Sequence, residues 1–287
     1  MSGPSGFATR KSLPSGLDNS PAIRRSALIR PDFKRRSGIS AVYYFATTRS
    51  TNTAAKELLS TGAPDRSLIV ASRQTAGRGR NQNRWWSGRG SLTFSILLRP
   101  SGAVFAPPNP VPISLVAGLA VVSAIRRMNP GCPVGVKWPN DIFSEDLRKI
   151  GGILVESTIR RAKLHSAIVG IGLNVNASMI RAPAEIRNRA TSLHALTGHR
   201  WNEVGLLGEI LHEFFKAERR FHARGFSGFS REWQEADVID AGRSVSLESD
   251  RQTTDGFYEG ISQDGAIRMR LRSGKVAVFY SGTLIPR

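Results

Sequence analysis

The sequence has few of the residues that build disulfides and metal sites. Its 287 residues include one cysteine, Cys132, and five histidines. A single cysteine excludes an internal disulfide and any zinc site made of several cysteines, and it favours a reducing compartment. The histidines show no metal-ligand spacing. We therefore expect no metal ion that is held by protein ligands alone.

Long apolar runs are also missing. The longest extends from Val111 to Ile125, contains Pro112 and is too short to cross a bilayer, so it predicts a buried helix. No segment has the apolar middle part of a secretory signal. We therefore expect a cytoplasmic protein without membrane attachment.

Acidic residues are scarce relative to basic ones. The chain has 41 Lys and Arg against 22 Asp and Glu, a net charge of +19. This charge predicts an anionic partner. Charge alone does not decide whether that partner is a nucleic acid, a nucleotide, a membrane surface or an acidic protein. Residues 1–40 are rich in Ser, Gly, Pro and Arg without periodicity, which predicts a disordered basic extension. Organelle targeting by this extension is the less favoured alternative, because no clear amphipathic helix is present.

The common nucleotide-binding fingerprints are absent. The sequence contains no G-x-x-x-x-G-K-S/T motif. The dinucleotide fingerprint G-x-G-x-x-G is incomplete in both places where its first two glycines occur. Gln82 stands at the third position after Gly77 and Gly79, and Val175 stands there after Gly170 and Gly172. No G-x-S-x-G motif occurs, which argues against an ordinary serine hydrolase.

The order of apolar and polar residues over 41–236 predicts an α+β domain, in which helices flank a mixed sheet. Strands are predicted at 41–45, 68–72, 91–98, 134–138, 149–156 and 165–175. Helices are predicted at 54–59, 113–128 and 207–221. Residues 177–191 are polar and interrupted by proline, which predicts a flexible loop.

Residues 237–287 have a different pattern. Short β-rich segments, including a single strand over 276–283, are separated by Asp-Gly and Ser-Gly turns. Ile267 to Arg272 alternates apolar and basic residues, as a strand with one buried face does. We expect a small SH3-like β barrel appended to the α+β domain.

Three segments combine charged residues with Gly, Pro or Trp near predicted strand ends. They are Gln74 to Arg80 (Q-T-A-G-R-G-R), Lys137 to Asp141 (K-W-P-N-D) and Lys149 to Glu156 (K-I-G-G-I-L-V-E). Arginine binds phosphate or carboxylate with a rigid fork of donors, and glycine lets backbone approach a ligand closely. Taken alone, the first segment also fits a basic surface turn.

Two further segments carry polar side chains. Ser50, Thr51 and Asn52 lie at a predicted strand-to-helix turn, where they suit either a helix cap or a polar small-molecule ligand. Residues 170–176 read G-I-G-L-N-V-N. With W-x-S at 85–87, the order and spacing of these blocks resemble the biotin protein ligases over residues 43–287.

The resemblance implies a class II synthetase-like catalytic domain and a reaction in two steps. Biotin and ATP, with Mg²⁺ carried by the nucleotide, give biotinyl-5′-AMP and pyrophosphate. A lysine of a biotin carboxyl carrier domain of acetyl-CoA carboxylase or a related enzyme then takes the biotin. The resemblance is compatible with a homodimer. It implies neither membrane attachment nor specific DNA binding, since residues 1–40 are too short for the winged helix of repressor members.

The resemblance also assigns residues to roles. The catalytic set is Lys149, Arg78, Arg80 and Asp141, where Asp141 orients Lys149 or helps deprotonate the acceptor lysine. The biotin-binding set is Ser50, Thr51, Asn52, Gln74, Arg78, Gly79, Arg80, Lys149, Gly151 and Gly152. The ATP-binding set is Gly77, Arg78, Arg80, Lys137, Asn140, Lys149 and Asn174.

Some assignments keep an alternative. Gly151 and Gly152 suit a β bulge as well as close approach to a ligand. Trp85 and Trp138 are expected to pack beneath the loops. The family's loop often continues as R-G-R, whereas Asn81-Gln82-Asn83 stands here, which predicts altered loop closure and adenylate retention.

Two other functions remain as alternatives. A lipoate or octanoate ligase or transferase shares the catalytic fold, but the K-W-P-N-D block and the terminal barrel favour biotin. A basic nucleic-acid-binding protein would explain the charge, but no RNA- or DNA-binding motif is present.

Overall fold

The computed structural model describes residues 25–28, 30–81, 83–99, 111–160, 163–249 and 252–287. Two sheets organise this part of the chain, one of seven strands and one of five. The larger sheet belongs to the predicted α+β domain, and the smaller one forms the C-terminal barrel. The fold class predicted from the sequence is confirmed.

The seven-stranded sheet is mixed. Its strands are β1 (Ala41–Thr48), β2 (Ser67–Gln74), β3 (Ser91–Leu98), β4 (Val134–Lys137), β5 (Asp141–Ser144), β6 (Lys149–Arg160) and β7 (Lys163–Asn174). The order is β1-β2-β3-β7-β6-β5-β4, and only the β1–β2 pair is parallel. All eight residues of β3 are buried, because helices cover both faces of the sheet at its centre.

Helices flank the sheet on both sides. They are α1 (Arg25–Leu28), α2 (Pro31–Ser37), α3 (Thr51–Ser60), α4 (Val111–Met128), α5 (Ala184–Arg187), α6 (Leu193–Thr197), α7 (Glu203–Arg224) and α8 (Ser230–Ala236). α3 packs on β2, β3 and β7, whereas α4 packs on β4, β6 and α7. Adjacent residues of β3 face the two sides: Leu97 contacts the α3 cluster and Ile96 the larger core.

The prediction of a disordered extension through residue 40 is wrong for its last part. α2 ends at Ser37. Gly38 follows it as a left-handed cap, with a φ of 70° and an amide that donates to the Lys34 carbonyl (3.0 Å). Phe33 packs beside Gly208 of α7, and Leu28 is fully buried. Residues 30–40 therefore belong to the core-bearing domain, and residues 1–24 and 29 lie outside the described residues.

The five-stranded sheet is antiparallel and forms the SH3-like unit. Its strands are β8 (Ser244–Ser249), β9 (Gln252–Ile261), β10 (Ile267–Leu271), β11 (Val276–Phe279) and β12 (Thr283–Pro286), in the order β11-β10-β9-β8-β12. Met269 is buried and Arg270 exposed, which confirms the alternation predicted for β10. The single strand predicted over 276–283 is wrong. The chain breaks there into β11 and β12, and Gly282 has a φ of 140°.

The barrel is fixed to the larger domain by buried polar bonds. The indole of Trp138 donates to the Gly265 carbonyl at 3.0 Å. The Asp237 carboxylate accepts from the Tyr258 hydroxyl, the Trp233 indole (3.0 Å) and the Ile239 amide (3.0 Å). Burial outweighs these donors and raises the pKa of Asp237 to about 6.

Within the described residues, no helix has the length and apolar character needed to span a membrane.

Candidate active site

A cavity of about 200 Å³ lies where the two domains meet. The strand ends of β2 and β4 to β7 form its walls, and the barrel closes one side with Gly282, Thr283 and Leu284. The three motifs that stood out in the sequence converge here, although they lie far apart along the chain. Residues 78–80, 137–141, 149 and 152 all line the cavity.

The floor of the cavity is a hydrogen-bonded polar network. The Gln74 carboxamide oxygen accepts from the Thr51 amide (2.7 Å) and the Thr51 hydroxyl (3.2 Å). The hydroxyl of Ser95, fully buried in β3, lies 2.7 Å from Thr51 Oγ1 and donates to Asn52 Oδ1 at 2.6 Å. Ser50 precedes α3 but makes no side-chain capping bond to any described residue, so capping does not explain its presence.

Glu156 links this floor to the segment above it. Its carboxylate accepts from Asn52 Nδ2 (2.8 Å), Lys56 Nζ (2.7 Å) and Arg78 Nη2 (3.3 Å). Burial alone would raise the pKa of Glu156, but the bonds from Lys56 and Asn52 and the charge of Arg78 outweigh it and lower the pKa. The carboxylate is therefore held in its ionised form.

The Gly-Arg segment forms a small hairpin over the cavity, which we call the lid hairpin (residues 77–85). The Trp85 amide donates to the Gly77 carbonyl (3.0 Å) and the Gly79 amide to the Asn83 carbonyl (2.7 Å). A side chain at Gly77 would lie 2.7 Å from the Trp85 carbonyl, so glycine is required there. Asn81 at the tip has a φ of 52°, a conformation that asparagine tolerates. Gln82 lies outside the described residues.

Arg80 extends from the lid hairpin to both domains. Its Nη1 donates to Asn140 Oδ1 at 3.1 Å and to the Gly282 carbonyl at 3.5 Å. The side chain thus spans from the K-W-P-N-D segment to the barrel. Sequence spacing gives no indication of the Gly282 contact, because 202 positions separate the two residues.

Two lysines and one carboxylate form the opposite wall. Lys149 Nζ lies 2.6 Å from Asp141 Oδ1, an ion pair rather than an aligned hydrogen bond. Lys137 is buried, with its ammonium 4.6 Å from the centre of the Phe143 ring. Burial lowers the pKa of Lys137, Asp141 partly offsets this effect, and Lys149 adds to it. The wall concentrates positive charge and is suited to an anionic ligand.

Both tryptophans line the cavity. Trp138 is almost fully buried. Trp85 is partly exposed and has its indole against Gly172, where an added side chain would lie 2.5 Å from the ring. Its Nε1 is buried and has no hydrogen-bond partner among the described residues. An indole donor of this kind is available to a ligand oxygen.

The chain is similar in sequence to known proteins. The model of the Biotin/lipoate A/B protein ligase family matches residues 44–174. A bifunctional ligase/repressor BirA of Bacillus spizizenii is 33% identical over 236 residues, which cover 82% of this chain and 70% of that protein. The chain belongs to the biotin protein ligase family. A biotin–acetyl-CoA-carboxylase ligase of Paracoccus denitrificans is 28% identical over 244 residues, covering 83% of this chain and 99% of that one.

A solved structure agrees in fold. The biotin protein ligase from Aquifex aeolicus, determined in complex with biotin and ATP, superposes with a TM-score of 0.74 at 29% sequence identity. The superposition covers 87% of this chain and 99% of the Aquifex chain. The larger domain and the barrel of this ligase are therefore similar in fold to those of the Aquifex protein.

Most of the residues predicted for the site line the cavity of this ligase. They are Ser50, Thr51, Asn52, Gln74, Arg78, Gly79, Arg80, Lys137, Asn140, Asp141, Lys149 and Gly152. Three predicted residues do not line it within the described part of the chain: Gly77, Gly151 and Asn174. A Cβ atom at position 151 would lie 2.7 Å from the Gly172 carbonyl oxygen. Glycine at this position therefore allows β6 and β7 to pack closely.

Asn174 has a structural position in this ligase. It is buried, its Nδ2 donates to the Thr191 carbonyl (3.2 Å), and the Ser91 hydroxyl donates to its Oδ1 (3.4 Å). It thereby attaches the segment 177–191 to the sheet. That segment, predicted as a flexible loop, contains α5 and a short 3₁₀ helix, and the Thr191 amide donates to the Lys149 carbonyl at 2.9 Å.

Several residues at or behind the cavity wall were not predicted from the sequence. Ser95 does not line the cavity but bonds to Thr51 and Asn52 from behind, and its only signal is a polar residue within the largely apolar strand β3. Gly170 has a clear structural reason, since a side chain would lie 2.1 Å from Asn52 Oδ1. The residues that the barrel contributes, Gly282 to Leu284, have no sequence signal that indicates the cavity.

Among the described residues, no group of three or more His, Cys, Asp or Glu side chains is arranged to hold a metal ion.

Proposed function

We propose that the chain activates biotin with ATP and transfers it to a lysine of a biotin carboxyl carrier domain. The observation that carries this proposal is the convergence of the polar floor, the lid hairpin and the cationic wall on one cavity. The relatives are named as biotin ligases, and the Aquifex structure was solved with biotin and ATP. The polar floor suits the neutral ring of biotin. The positively charged wall beside it suits the carboxylate of biotin and the phosphates of ATP.

The floor suits the ureido ring of biotin. That ring has two N–H donors and one carbonyl acceptor, which must all find partners when they are buried. Thr51, Asn52 and Gln74 provide hydroxyl and amide groups that are already held in place by one another and by Ser95. A network that is ordered before binding loses little entropy when the ligand arrives.

The first step brings two anions together. A carboxylate oxygen of biotin attacks the α-phosphorus of ATP, a new P–O bond forms, and pyrophosphate leaves. Arg78, Arg80, Lys137 and Lys149 offset the repulsion between carboxylate and phosphates through charge-assisted bonds. Mg²⁺ bound to the phosphates would supply further charge neutralisation.

The second step transfers the acyl group. The amine of the acceptor lysine attacks the mixed anhydride carbonyl, an amide forms, and AMP leaves with the bond electrons. The attacking amine must lose a proton. We assign Asp141 to accept it or to hold Lys149 in position, a role that the ion pair between these two residues supports. The lid hairpin would exclude water and protect the anhydride from hydrolysis.

The test is a coupled assay on the purified chain. With biotin, ATP and Mg²⁺ we expect pyrophosphate release, and with a carrier domain we expect its mass to rise by one biotinyl group. A folded protein that makes no adenylate and labels no carrier would contradict the proposal. Replacing biotin with lipoate or octanoate in the same assay distinguishes the related transferases, which the biotin-ligase relatives do not favour.

A further inference from the structure

Glu156 does not line the main cavity, yet it contacts the side chains that shape it. It lies on β6, two residues after the cavity residue Leu154. One oxygen, Oε2, accepts from both Asn52 and Arg78, and the other, Oε1, accepts from Lys56. A single carboxylate thus joins the floor of the cavity, the lid hairpin and helix α3.

The amide of Asn52 is oriented by these contacts. Its Nδ2 donates to Glu156 (2.8 Å) and to the Leu154 carbonyl (3.3 Å), so both N–H groups are used. Its Oδ1 accepts from Ser95 at 2.6 Å and lies beside Gly170, where the missing side chain leaves room. A carbonyl oxygen accepts two hydrogen bonds, so Asn52 can accept one more, from an N–H of a ligand.

The ionised carboxylate of Glu156 determines the orientation of the Asn52 side-chain amide. Glu156 can only accept, and it therefore selects the NH₂ end of Asn52. A glutamine in its place carries its own NH₂ group, which could face Asn52 Oδ1 just as well. Replacement of Glu156 would thus allow the Asn52 amide to turn, and it would remove the ion pair that holds Arg78.

We propose that Glu156 is a positioning residue for the biotin half of the cavity: it fixes Asn52 as an acceptor for the ureido N–H and holds Arg78 of the lid hairpin to the floor. This inference rests on the proposed function for the identity of the ligand. It adds lid anchoring to the part that Arg78 takes in charge neutralisation. The lowered pKa of Glu156 agrees with an acceptor that is ionised at neutral pH.

The structure offers two control variants. Glu259 is a partly buried carboxylate of the barrel, 26% exposed against 22% for Glu156, and it also pairs with arginine. It does not line the cavity, so Glu259→Gln controls for loss of a buried charge. Lys56→Met removes the partner of Oε1 and leaves the Oε2 contacts with Asn52 and Arg78 intact.

Direct binding tests the inference. We would titrate biotin and, separately, a non-hydrolysable ATP analogue into the wild type, Glu156→Gln, Glu259→Gln and Lys56→Met by calorimetry. For Glu156→Gln we expect a biotin Kd raised on the order of tenfold, as for the loss of a charge-assisted bond, and a nucleotide Kd changed by less than about twofold. Both controls should bind biotin within about twofold of the wild type.

Trypsin sensitivity at Arg78, Arg80 and Arg84 provides a second measurement. Biotin should protect the lid hairpin in the wild type and in both controls, and protect it less in Glu156→Gln. An unchanged biotin Kd in Glu156→Gln, or equal losses for biotin and the nucleotide analogue with a lowered Tm, would overturn the inference. A wild type that binds biotin but releases no pyrophosphate would contradict the proposed function alone.

Discussion

Lys149 and Asp141 form an ion pair of 2.6 Å in the wall of the cavity, and a glycine makes room for it. Asp141 of β5 lies opposite Gly152 of β6 in the sheet register. A side chain at position 152 would start 3.2 Å from Asp141 Oδ1 and 3.5 Å from Lys149 Nζ. The glycine therefore leaves the pair open to the cavity, where its charge can act on a ligand.

Lys149→Ala should nearly abolish adenylate formation. Removing a charge directed at the reacting phosphate costs on the order of 100-fold or more in rate, while the fold is retained because Lys149 is partly exposed. Biotin-dependent pyrophosphate release measures the effect. Lys275→Ala, at an exposed turn of the barrel, is the control and should behave as the wild type. Equal activity in both variants would remove Lys149 from the mechanism.

Asp141→Asn should slow the reaction and change the titration of Lys137. The negative charge of Asp141 raises the pKa of Lys137 against the effect of burial. Without that charge the pKa falls further, so Lys137 loses its proton at lower pH and the alkaline limb of the activity profile moves to lower pH. NMR titration of the Lys137 ammonium checks this directly, and the same midpoint in both proteins would contradict it.

Arg80→Gly should release adenylate into solution. Arg80 connects the lid hairpin to Asn140 and to the Gly282 carbonyl, so its loss loosens the lid over a reactive anhydride. We expect free biotinyl-AMP to accumulate and non-specific labelling of lysines in a bystander protein to rise. Retention of the intermediate at the level of the wild type would show that the lid closes without Arg80.

Gly170→Ala should damage biotin binding more than stability. The new methyl carbon would lie 2.1 Å from Asn52 Oδ1, so the Asn52 amide must move away from Ser95. Gly208→Ala is the control, because its methyl carbon would only contact Phe33 at 3.5 Å and alanine favours a helix by about 1 kcal/mol. A biotin Kd unchanged by Gly170→Ala, measured by calorimetry, would contradict the assigned floor.

The junction between the domains should lose stability as pH rises from about 4 to about 6. The pKa of Asp237 is about 6 in the folded protein against 3.8 as its ordinary value. The folded state therefore holds the proton more tightly, and its stabilisation is complete below the lower value and lost above the higher one. The change amounts to at most about 3 kcal/mol.

Urea unfolding at pH 4.5 and pH 7 measures this contribution. The wild type and Asp237→Asn should differ in how stability changes between the two pH values, since asparagine cannot titrate. Identical pH dependence in both proteins would show that Asp237 does not titrate in this range.

The sequence predicted the elements well where periodicity was strong. The buried run of β3, the apolar stripe of α7 and the alternation in β10 all appear as expected, because burial on one or both faces produces those patterns. It failed at α2, whose short basic sequence looks like a surface tail. Phe33 and the cap at Gly38 fold it onto α7, and only the presence of that neighbouring surface makes the helix stable.

The amino-acid sequence by itself determined the chemical groups of this ligase and their order along the chain: the Gly-Arg segment, the Lys137 to Asp141 block and Lys149. These residue types fit an anionic ligand wherever they lie. Only the tertiary structure decided which of them meet. The pairing of β5 with β6 brings Lys149 to Asp141, and the docking of the barrel brings Gly282 to Arg80. Such contacts depend on packing between residues that are distant in the sequence. They produce no local periodicity from which the contacts could be predicted.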